Sequence, residues 1–433
     1  MADAYPFLSH RIFFTPLVSE NVYGTSVDVT QDIDVSDFIK SVGTIRREID
    51  NGDNDFGIFT FGNIELTAIN FTGKFNDQND NGRSIFPYLR DRTKVEIEFR
   101  NKSDTASTRF KGIINDDVTR HNLRSDAVKF TVLSLDSILR QVKVQPGSVV
   151  TGDLFSLAIK KILNVPEITS TLTYSASNIT VDLDLTIDEG ETFSNSIAKD
   201  SLDELLLASN SILYIDETDT VYVKPRTESA TLYNLYGRGD QYGRNSILEI
   251  TDYNNGLHRA FNSIKVNSNT VRTADEWVES YGFRQKSITF DFISDRDKEQ
   301  EIGDRLLREF QVPKLELQVV VRTEDVLGIE LLDSVSVNYP KMLFPDPAYE
   351  KLPMFGVAEY GTARYAIEKG SFGINPNISW KVIGIDENPG KFTTTLKLRQ
   401  AGVTMVGGYF ASDYPTDDSG NYPTDDSGNK PTA

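Results

Sequence analysis

The sequence predicts a mainly β (α+β) fold. It should hold two antiparallel β-barrel or sandwich domains, a small inserted α/β module and a disordered C-terminal tail. Segments that alternate strictly between apolar and polar residues, such as KVEIEFR, are typical of strands with one buried and one solvated face. Residues 199–226 instead read as a short helix followed by a tight hairpin. At 433 residues the chain is too long for one ordinary core, so several domains are expected.

The first β domain is predicted over residues 1–145. An aromatic arm or first strand occupies residues 1–26, and strand patterns follow to about Val142. The alternation is clearest in two strands, with buried-face positions at Val95, Ile97, Phe99, Val128, Phe130 and Val132. Polar turns near residues 50–55, 76–82 and 115–117 separate the strands.

An inserted module is predicted over residues 146–245, after a boundary at Pro146-Gly147. Its order should be helix, strand, helix, hairpin. Apolar residues at helical spacing predict a first helix over residues 154–163, ended near Pro166. Ser201 and Glu204 have the spacing of a capping box, which places the start of the second helix there. A polar turn at residues 216–219 then joins two β-rich runs.

The second β domain is predicted over residues 246–405. One helix interrupts it, from Asp295 to Phe310, with Ser294 as N-cap and Pro313 beyond its end. The domain closes with a hairpin from Trp380 to Arg399. We expect its turn at residues 387–390 and alternating strand positions at Phe392, Thr394, Leu396 and Leu398. Residues 344–377 suit a long loop excursion.

Residues 406–433 are predicted to be a flexible acidic tail. They contain a perfect tandem repeat, since Tyr414–Asn421 and Tyr422–Asn429 both read YPTDDSGN. The repeat is small, polar and acidic, with a proline in each copy. It cannot bury enough apolar surface to fold alone.

Composition narrows the class of protein. The net charge of −19 repels nucleic acid from most of the surface, so stable DNA or RNA binding is not expected. The absence of cysteine excludes disulfides and thiolate chemistry, and it fits synthesis in a cytosol. No apolar run is long enough for a membrane-spanning helix, and the first residues do not have the pattern of a secretory signal.

Two turns contain the side chains of a calcium loop. Residues 77–82 read D-x-N-x-N-G, but the twelfth position, where a bidentate carboxylate belongs, is Tyr88. Residues 50–55 are similar in composition. Asn and Asp also dominate ordinary turns, which is the simpler interpretation. Whether these turns bind calcium stays open.

No other pattern predicts catalysis. His10, His121 and His258 lie in separate segments without metal-ligand spacing, and residues 238–240 spell RGD in a chain without disulfides. Asp182 and Asp184 could serve a glycosidase only at a suitable separation, and pairs of acids are expected by chance among 64. The sequence therefore predicts a non-enzyme with no catalytic, cofactor-binding or metal-binding residues.

Several segments resemble the baseplate-hub and tail-tip hub proteins of long-tailed bacteriophages and related contractile injection machines. The opening of that family is similar to DVTQDIDVSDFIKSVGTIRRE followed by NIELTAIN, and RFKGIINDD looks like its F-x-G-x-I strand and turn. SLDELLLASNSILYIDETDTVYVKPR is similar to its helix-hairpin insert, and GIDENPGKFTTTLKLR to its final hairpin. The resemblance covers most of residues 25–402 in layout.

The resemblance implies a homotrimer in which two related β domains per chain occupy six positions in a ring. Such a hub joins a sixfold tail tube to a threefold tip in the virion, beside the tube or distal ring protein, a central spike or fibre, and the tape-measure protein. It lines the DNA channel, which an acidic wall would suit. A hexameric distal-tail ring protein and a receptor- or carbohydrate-binding module are the alternatives. A hydrolase is the least favoured.

Overall fold

Two seven-stranded sheets form most of the structure, a computed structural model of the chain. It describes residues 9–15, 21–22, 25–26, 32–49, 62–69, 93–100, 106–122, 127–216, 218–226, 232–237, 246–254, 259–267, 270–275, 278, 282–311, 314–338, 379–401, 405–406 and 409–410. The predicted mainly β, largely antiparallel fold is confirmed.

The first sheet has the strand order β4-β1-β8-β9-β10-β7-β5, and all its pairings are antiparallel. Its strands are β1 (Ser9–Thr15), β4 (Ile33–Asp34), β5 (Ile39–Val42), β7 (Asn63–Ile69), β8 (Lys94–Arg100), β9 (Ala106–Asn122) and β10 (Ala127–Ser134). The predicted alternation holds in β8 and β10, whose apolar side chains are buried on one face. Two short strands, β2 (Asn21–Val22) and β3 (Thr25–Ser26), pair with each other.

The second sheet has the order β13-β19-β20-β21-β18-β14 and takes one further strand, β6, on β20. Its strands are β6 (Ile45–Glu48), β13 (Leu232–Tyr236), β14 (Ile247–Asn254), β18 (Glu316–Arg322), β19 (Ser334–Asn338), β20 (Ser379–Asn388) and β21 (Thr393–Gln400). The β13–β19 pair is parallel, an exception to the predicted antiparallel pattern.

The helices pack mainly in a core of their own, together with a small sheet and a hairpin. They are α1 (Phe155–Leu163), α2 (Pro166–Thr169), α3 (Ala198–Ala208) and α4 (Arg296–Phe310). A hairpin of β11 (Ser211–Ile215) and β12 (Val221–Pro225) follows α3, as predicted. A small sheet of β15 (Ser263–Val266), β16 (Thr270–Thr273) and β17 (Gln285–Ile288) packs against α4. Among the described helices, none is long and apolar enough to cross a membrane.

The buried apolar residues form three clusters. One fills the first sheet, from Ile12 to Val132, and a second fills the second sheet around Trp380. The third joins helices α1 to α3 and the β11–β12 hairpin, together called the helical module, to α4 and the small sheet. In that cluster Phe292 contacts the rings of Phe155 and Phe193, with centroids 5.8 and 5.1 Å away. The module and residues 259–310 therefore share one core.

Three elements pack with neighbours across a predicted domain boundary. β6 lies within residues 1–145 but pairs with β20, and β13 lies within residues 146–245 but belongs to the second sheet. Residues 259–310, within 246–405, pack on the helical module. The division into four domains stays a prediction, with these contacts running between its parts.

Two predicted helix starts are wrong. Helix α3 begins at Ala198, so Ser201 lies inside it, where its hydroxyl donates to the carbonyl of Ile197. No capping box with Glu204 forms. The N-cap of α4 is Asp295 and not Ser294, because the Asp295 carboxylate accepts the N–H of Asp297. A carboxylate one residue further along thus makes the bond expected of the serine hydroxyl.

The predicted end of the first helix near Pro166 is confirmed, since α1 ends at Leu163 and Pro166 begins α2, consistent with proline at the first position of a helix. Two further details of the predicted layout are corrected. Between α2 and α3 the described chain makes isolated bridges to the hairpin and no regular strand. The turn of the closing hairpin lies at residues 389–392 and not at 387–390, because β20 continues to Asn388; Phe392 is in this turn with φ of 52°, and its ring packs edge-on against Phe99 of the first sheet.

The C-terminal prediction is largely untested. Met405–Val406 and Tyr409–Phe410 form two short paired strands, β22 and β23. The YPTDDSGN repeat and the predicted excursion over residues 344–377 lie outside the described residues.

Candidate functional site at a three-way junction

Strand β9 carries two basic residues toward different parts of the molecule. The β8–β9 ladder pairs Ile97 with Phe110 and Glu98 with Thr108, so Arg109 is the extra residue of a β-bulge. A bulge redirects side chains out of the regular alternation. Arg109 reaches the second sheet, and Lys111 reaches the β11–β12 hairpin. The first sheet, the second sheet and the helical module therefore meet at this strand.

Arg109 and Glu387 form a buried ion pair between the two large sheets. Their side chains are 1% and 0% exposed. The guanidinium Nε donates to Glu387 Oε2 at 3.1 Å, Nη2 donates to Oε1, and Nη1 donates to the carbonyl of Leu327 at 2.7 Å. Such a two-pronged pair satisfies both charges and fixes their relative orientation. It therefore sets the geometry with which the two sheets meet.

Arg47 of β6 extends the network. Its Nη1 donates to Glu330 Oε2 at 2.8 Å, and its Nη2 lies 3.4 Å from Glu387 Oε1. Burial raises the pKa of Glu330, although the positive charges of Arg47 and Arg109 act in the opposite direction. Two arginines and two glutamates therefore alternate along the network. Their charges sum to zero, and water has little access to them. Removal of one member of such a neutral network leaves a buried charge without its counter-charge, which is more costly than the loss of one contact.

Strand β6 joins the two large cores. Only Gly43 and Thr44 separate it from β5 of the first sheet, while its ladder pairs it with β20 of the second. Ile45 is buried in the first core, and Ile49, just after the strand, is buried in the second. The chain therefore crosses the junction within five residues.

More exposed ion pairs surround the buried network. Arg46 Nε lies 3.1 Å from Asp386 Oδ1, and Lys397 Nζ lies 2.8 Å from Glu48 Oε1. Arg46 and Asp386 are opposite each other in the β6–β20 ladder, and Lys397 reaches Glu48 from β21, across Gly384 of β20. Because Arg46 is 59% exposed, its pair contributes little to stability.

The hairpin of the helical module is attached through Lys111 and Asp219. Lys111 Nζ donates to Asp219 Oδ2 at 3.0 Å. Burial alone would lower the pKa of Lys111, but the hydrogen bond and charge of Asp219 outweigh it and raise that pKa. Asp219 sits in the turn with φ of 66°, a conformation that Asp tolerates better than most residues. The turn predicted at residues 216–219 therefore has a partner on the first sheet.

A small cleft of about 70 Å³ opens at this junction. Its walls come from β6, β9, the end of β10 and the hairpin, and they include Arg47, Lys111, Tyr214 and Asp136. Burial raises the pKa of Asp136 to about 7, while its hydrogen bond with Ser134 and the charge of Arg140 limit the rise. The cleft is too small for a substrate of ordinary size.

The residues singled out as possible catalysts have structural partners. Asp182 accepts from Asn210 Nδ2 at 2.8 Å and lies 3.4 Å from Arg305 Nε. Asp184 accepts from both the backbone N–H and the hydroxyl of Ser156 at the start of α1. Each carboxylate therefore holds a neighbouring segment, and the two do not converge on a common pocket in the described chain.

The histidines and Asp-rich turns add no metal site that the structure describes. His10 is half-buried on β1, and burial lowers its pKa. His121 lies on β9, and His258, the RGD triplet and both possible calcium loops lie outside the residues whose side chains are described. In the described part of the chain, no group of three or more acidic or histidine residues could hold a metal ion.

Sequence reasoning did not identify Arg109 and Glu387 as partners. The sequence analysis placed Glu387 in a turn, whereas the structure puts it at a buried position of β20, where a carboxylate requires a cation. Nothing local indicates which of the 45 basic residues supplies it. The partner lies 278 residues away in sequence.

The chain is similar in overall fold to known structures. The tail protein from Neisseria meningitidis MC58 superimposes with a TM-score of 0.55 and 10% identity, over 94% of this chain and 98% of that one. Prophage tail protein gp18 from Listeria monocytogenes EGD-e gives 0.49 and 12%, over 90% and 94%. The 43 kDa tail protein of prophage MuSo2 from Shewanella oneidensis gives 0.48 and 10%, over 90% and 97%.

Comparison by sequence gives a different result. No family model matches the chain, and no curated protein matches it. The likeness to the Neisseria tail protein, which spans nearly the whole of both chains, shows that this chain shares the fold of that protein. The fold implied by the resemblance is confirmed.

Proposed function

We propose that this protein is a structural, non-enzymatic part of a bacteriophage tail. It is a hub at the distal end of the tail that assembles as a homotrimer and joins the sixfold tail tube to a threefold tip or spike. The shared fold of the Neisseria tail protein supports the tail assignment. The particular place in the tail rests on the internal organisation of this chain.

The observation that carries the hub assignment is the presence of two seven-stranded sheets in one chain, joined by a buried ion pair. Three copies would present six such sheets, which matches a sixfold partner on one side and a threefold partner on the other. This arrangement works only if the two sheets of each copy keep a fixed relative orientation. The buried Arg109–Glu387 pair and the crossing strand β6 provide that constraint.

Charge supports a place around the DNA path. A chain with a net charge of −19 would give a ring of three copies a strongly negative field. Negative walls repel phosphates, so DNA would pass the ring without stable binding. In this role the protein binds its own copies, the tube or distal ring protein, the spike or fibre and the tape-measure protein. It is made in the host cytoplasm and resides in the virion.

The first test is the mass in solution, measured by light scattering after size exclusion over a range of protein concentrations. A trimer of the 48.5 kDa chain, about 145 kDa, is the expected result. A hexamer would favour the distal-tail ring protein, and a monomer at every concentration would contradict the homotrimer. Electron microscopy of the same sample should show a ring with an open centre.

A second test addresses the channel. Double-stranded DNA added to the assembled protein should show no retardation in a gel at low salt, where any electrostatic attraction would be strongest. Binding that weakens as salt rises would contradict an acidic, non-adhesive channel.

A further inference from the structure

Three polar groups at the edge of the junction cleft are connected by hydrogen bonds. Ser134 Oγ lies 2.9 Å from the carbonyl oxygen of Gly62 and is also hydrogen-bonded to Asp136 Oδ1. A carbonyl can only accept, and a serine hydroxyl has one proton to donate. If that proton goes to Gly62, the Asp136–Ser134 bond requires a proton on Asp136. When Asp136 is protonated, each bond has its own proton; when Asp136 is ionised, the one serine proton must serve both the carboxylate and the Gly62 carbonyl.

We propose that Asp136 is a protonation switch of the three-way junction. In its neutral form it donates to Ser134, whose hydroxyl donates to Gly62, and the end of β10 is held to the start of β7. When Asp136 ionises, the serine proton turns toward the carboxylate and Gly62 loses that donor. The inference concerns the junction within one chain and is independent of the proposed place in a phage tail.

The position of Gly62 links this chain of bonds to β6. A Cβ atom on Gly62 would lie 2.7 Å from the carbonyl oxygen of Arg46, so the two backbones are in close contact. Gly62 O also accepts the backbone N–H of Ser134 at 3.0 Å. When the hydroxyl bond is lost, the backbone N–H of Ser134 is the one donor described for the Gly62 carbonyl. Gly62 is next to β6, the strand whose Arg47 belongs to the buried network.

The charges around Asp136 determine how the ionised form behaves. On its own element, Arg140 attracts the carboxylate. The other charged groups lining the cleft are Arg46, Arg47 and Glu48 of β6, Arg109 and Lys111 of β9, and Asp216 and Asp219 of the hairpin. All four of these cations are already paired with other acids. Of the charged groups around it, Arg140 is the one that favours the ionised form of Asp136.

Burial supports a transition near neutral pH. It raises the pKa of Asp136 from 3.8 to about 7 in the folded chain. The protonated and ionised forms would stand at about ten to one at pH 6 and about one to ten at pH 8. Because the folded pKa is the higher one, the stabilising contribution is complete below about pH 4. It is lost as pH rises toward 7 and does not return above it.

The test compares the wild type with Asp136→Asn in thermal unfolding from pH 5 to pH 9 at fixed protein concentration. The amide that this substitution introduces can donate to Ser134 at every pH, so it imitates the protonated carboxyl. Between pH 5 and pH 8, the unfolding temperature of the variant should rise by several degrees relative to that of the wild type. The control variant Glu65→Gln removes an exposed carboxylate from the same sheet. The difference between its unfolding temperature and that of the wild type should change little with pH. Parallel curves for the wild type and Asp136→Asn would overturn the proposal.

A second measurement needs no variant and applies if Asp136→Asn fails to fold. Amide exchange of the wild type is followed by mass spectrometry from pH 6 to pH 8 and corrected for the intrinsic pH dependence of exchange. Protection in the peptide containing Ser134, whose N–H bonds Gly62 O, should fall roughly tenfold. Protection of α1 should stay constant. Unchanged protection at Ser134 would contradict the switch.

Discussion

Arg109 and Glu387, 278 residues apart in sequence, form a buried ion pair that joins the first seven-stranded sheet to the second. Both side chains are almost completely removed from solvent, and a second arginine, Arg47, shares the Glu387 carboxylate. Burial of such a pair costs desolvation energy, which its hydrogen bonds roughly offset. Its main consequence is therefore geometric, because it permits one relative placement of the two sheets.

Replacement of Arg109 by Met should be strongly destabilising. It leaves the Glu387 carboxylate buried with only the longer contact to Arg47, and removal of one partner of a buried pair typically costs about 3–5 kcal/mol. The double variant Arg109→Met, Glu387→Leu removes both charges and should recover most of that loss. The denaturant midpoints of the wild type, both single variants and the double variant measure the coupling. A double variant less stable than Arg109→Met would contradict this account of the pair.

The Lys111–Asp219 pair should contribute much less. The two side chains are 29% and 18% exposed, so solvent screens their attraction. We expect Lys111→Met to cost no more than about 1 kcal/mol in free energy of unfolding. Limited proteolysis gives a second readout, since the β11–β12 turn should be cut faster once its tether is lost. If Lys111→Met lowered the free energy of unfolding as much as Arg109→Met does, the hairpin contact would stabilise the junction as much as the inter-sheet pair, which would contradict this prediction.

The elements of this fold follow from local patterns, whereas the junction does not. The alternation of Val95, Ile97 and Phe99 predicts β8 correctly because one sheet face is buried along the whole strand. Helix α1 follows from apolar spacing for the same kind of reason. Strand β6 reads as an ordinary strand, and nothing in its four residues specifies β20, more than 330 residues later, as its partner.

The failures at helix starts have a physical cause. Several polar residues near each start can make the capping bond, and tertiary contacts decide among them. The Ser201 hydroxyl bonds Ser196 and the Ile197 carbonyl within the buried surface of α3, which leaves Glu204 without its expected role. Phe392 also departs from the predicted strand alternation, and its ring contacts Phe99 in the first core. Long-range packing overrode the local pattern in both cases.

Gly112 on β9 should not tolerate alanine. A Cβ there would lie 2.4 Å from the carbonyl oxygen of Leu133 on β10 and 2.7 Å from the ring of Phe110. Relief of that clash requires β9 and β10 to separate, so we expect a loss of roughly 1–3 kcal/mol or more. The matched control is Gly147→Ala, where no atom lies within 4 Å of the new Cβ and only the φ of 73° is unfavourable. That control should cost about 1 kcal/mol. Equal unfolding midpoints for the two variants would contradict the close approach.

Asp188 should stabilise the start of α4 in a pH-dependent manner. Its carboxylate accepts the backbone N–H groups of Ser294 and Asp295, each at 2.9 Å, and is hydrogen-bonded by Lys298. Burial alone would raise the pKa of Asp188, but these bonds outweigh it and lower the pKa below 3.8. A lowered folded pKa means that the stabilisation is present above about pH 4 and is lost as pH falls through the folded value.

We therefore expect Asp188→Asn to be less stable than the wild type by about 1 kcal/mol at pH 7, in line with the loss of a charged group at a helix N-terminus. The difference should shrink as pH falls below 4, because the wild-type carboxyl then becomes protonated and loses its charge as well. Thermal unfolding from pH 3 to pH 7 measures it. Asp297→Asn, an exposed change in the first turn of the same helix, separates the contacts of Asp188 from a general effect of charge. A difference that stays constant over this range would show that the Asp188 carboxylate gains nothing from ionisation in the folded chain.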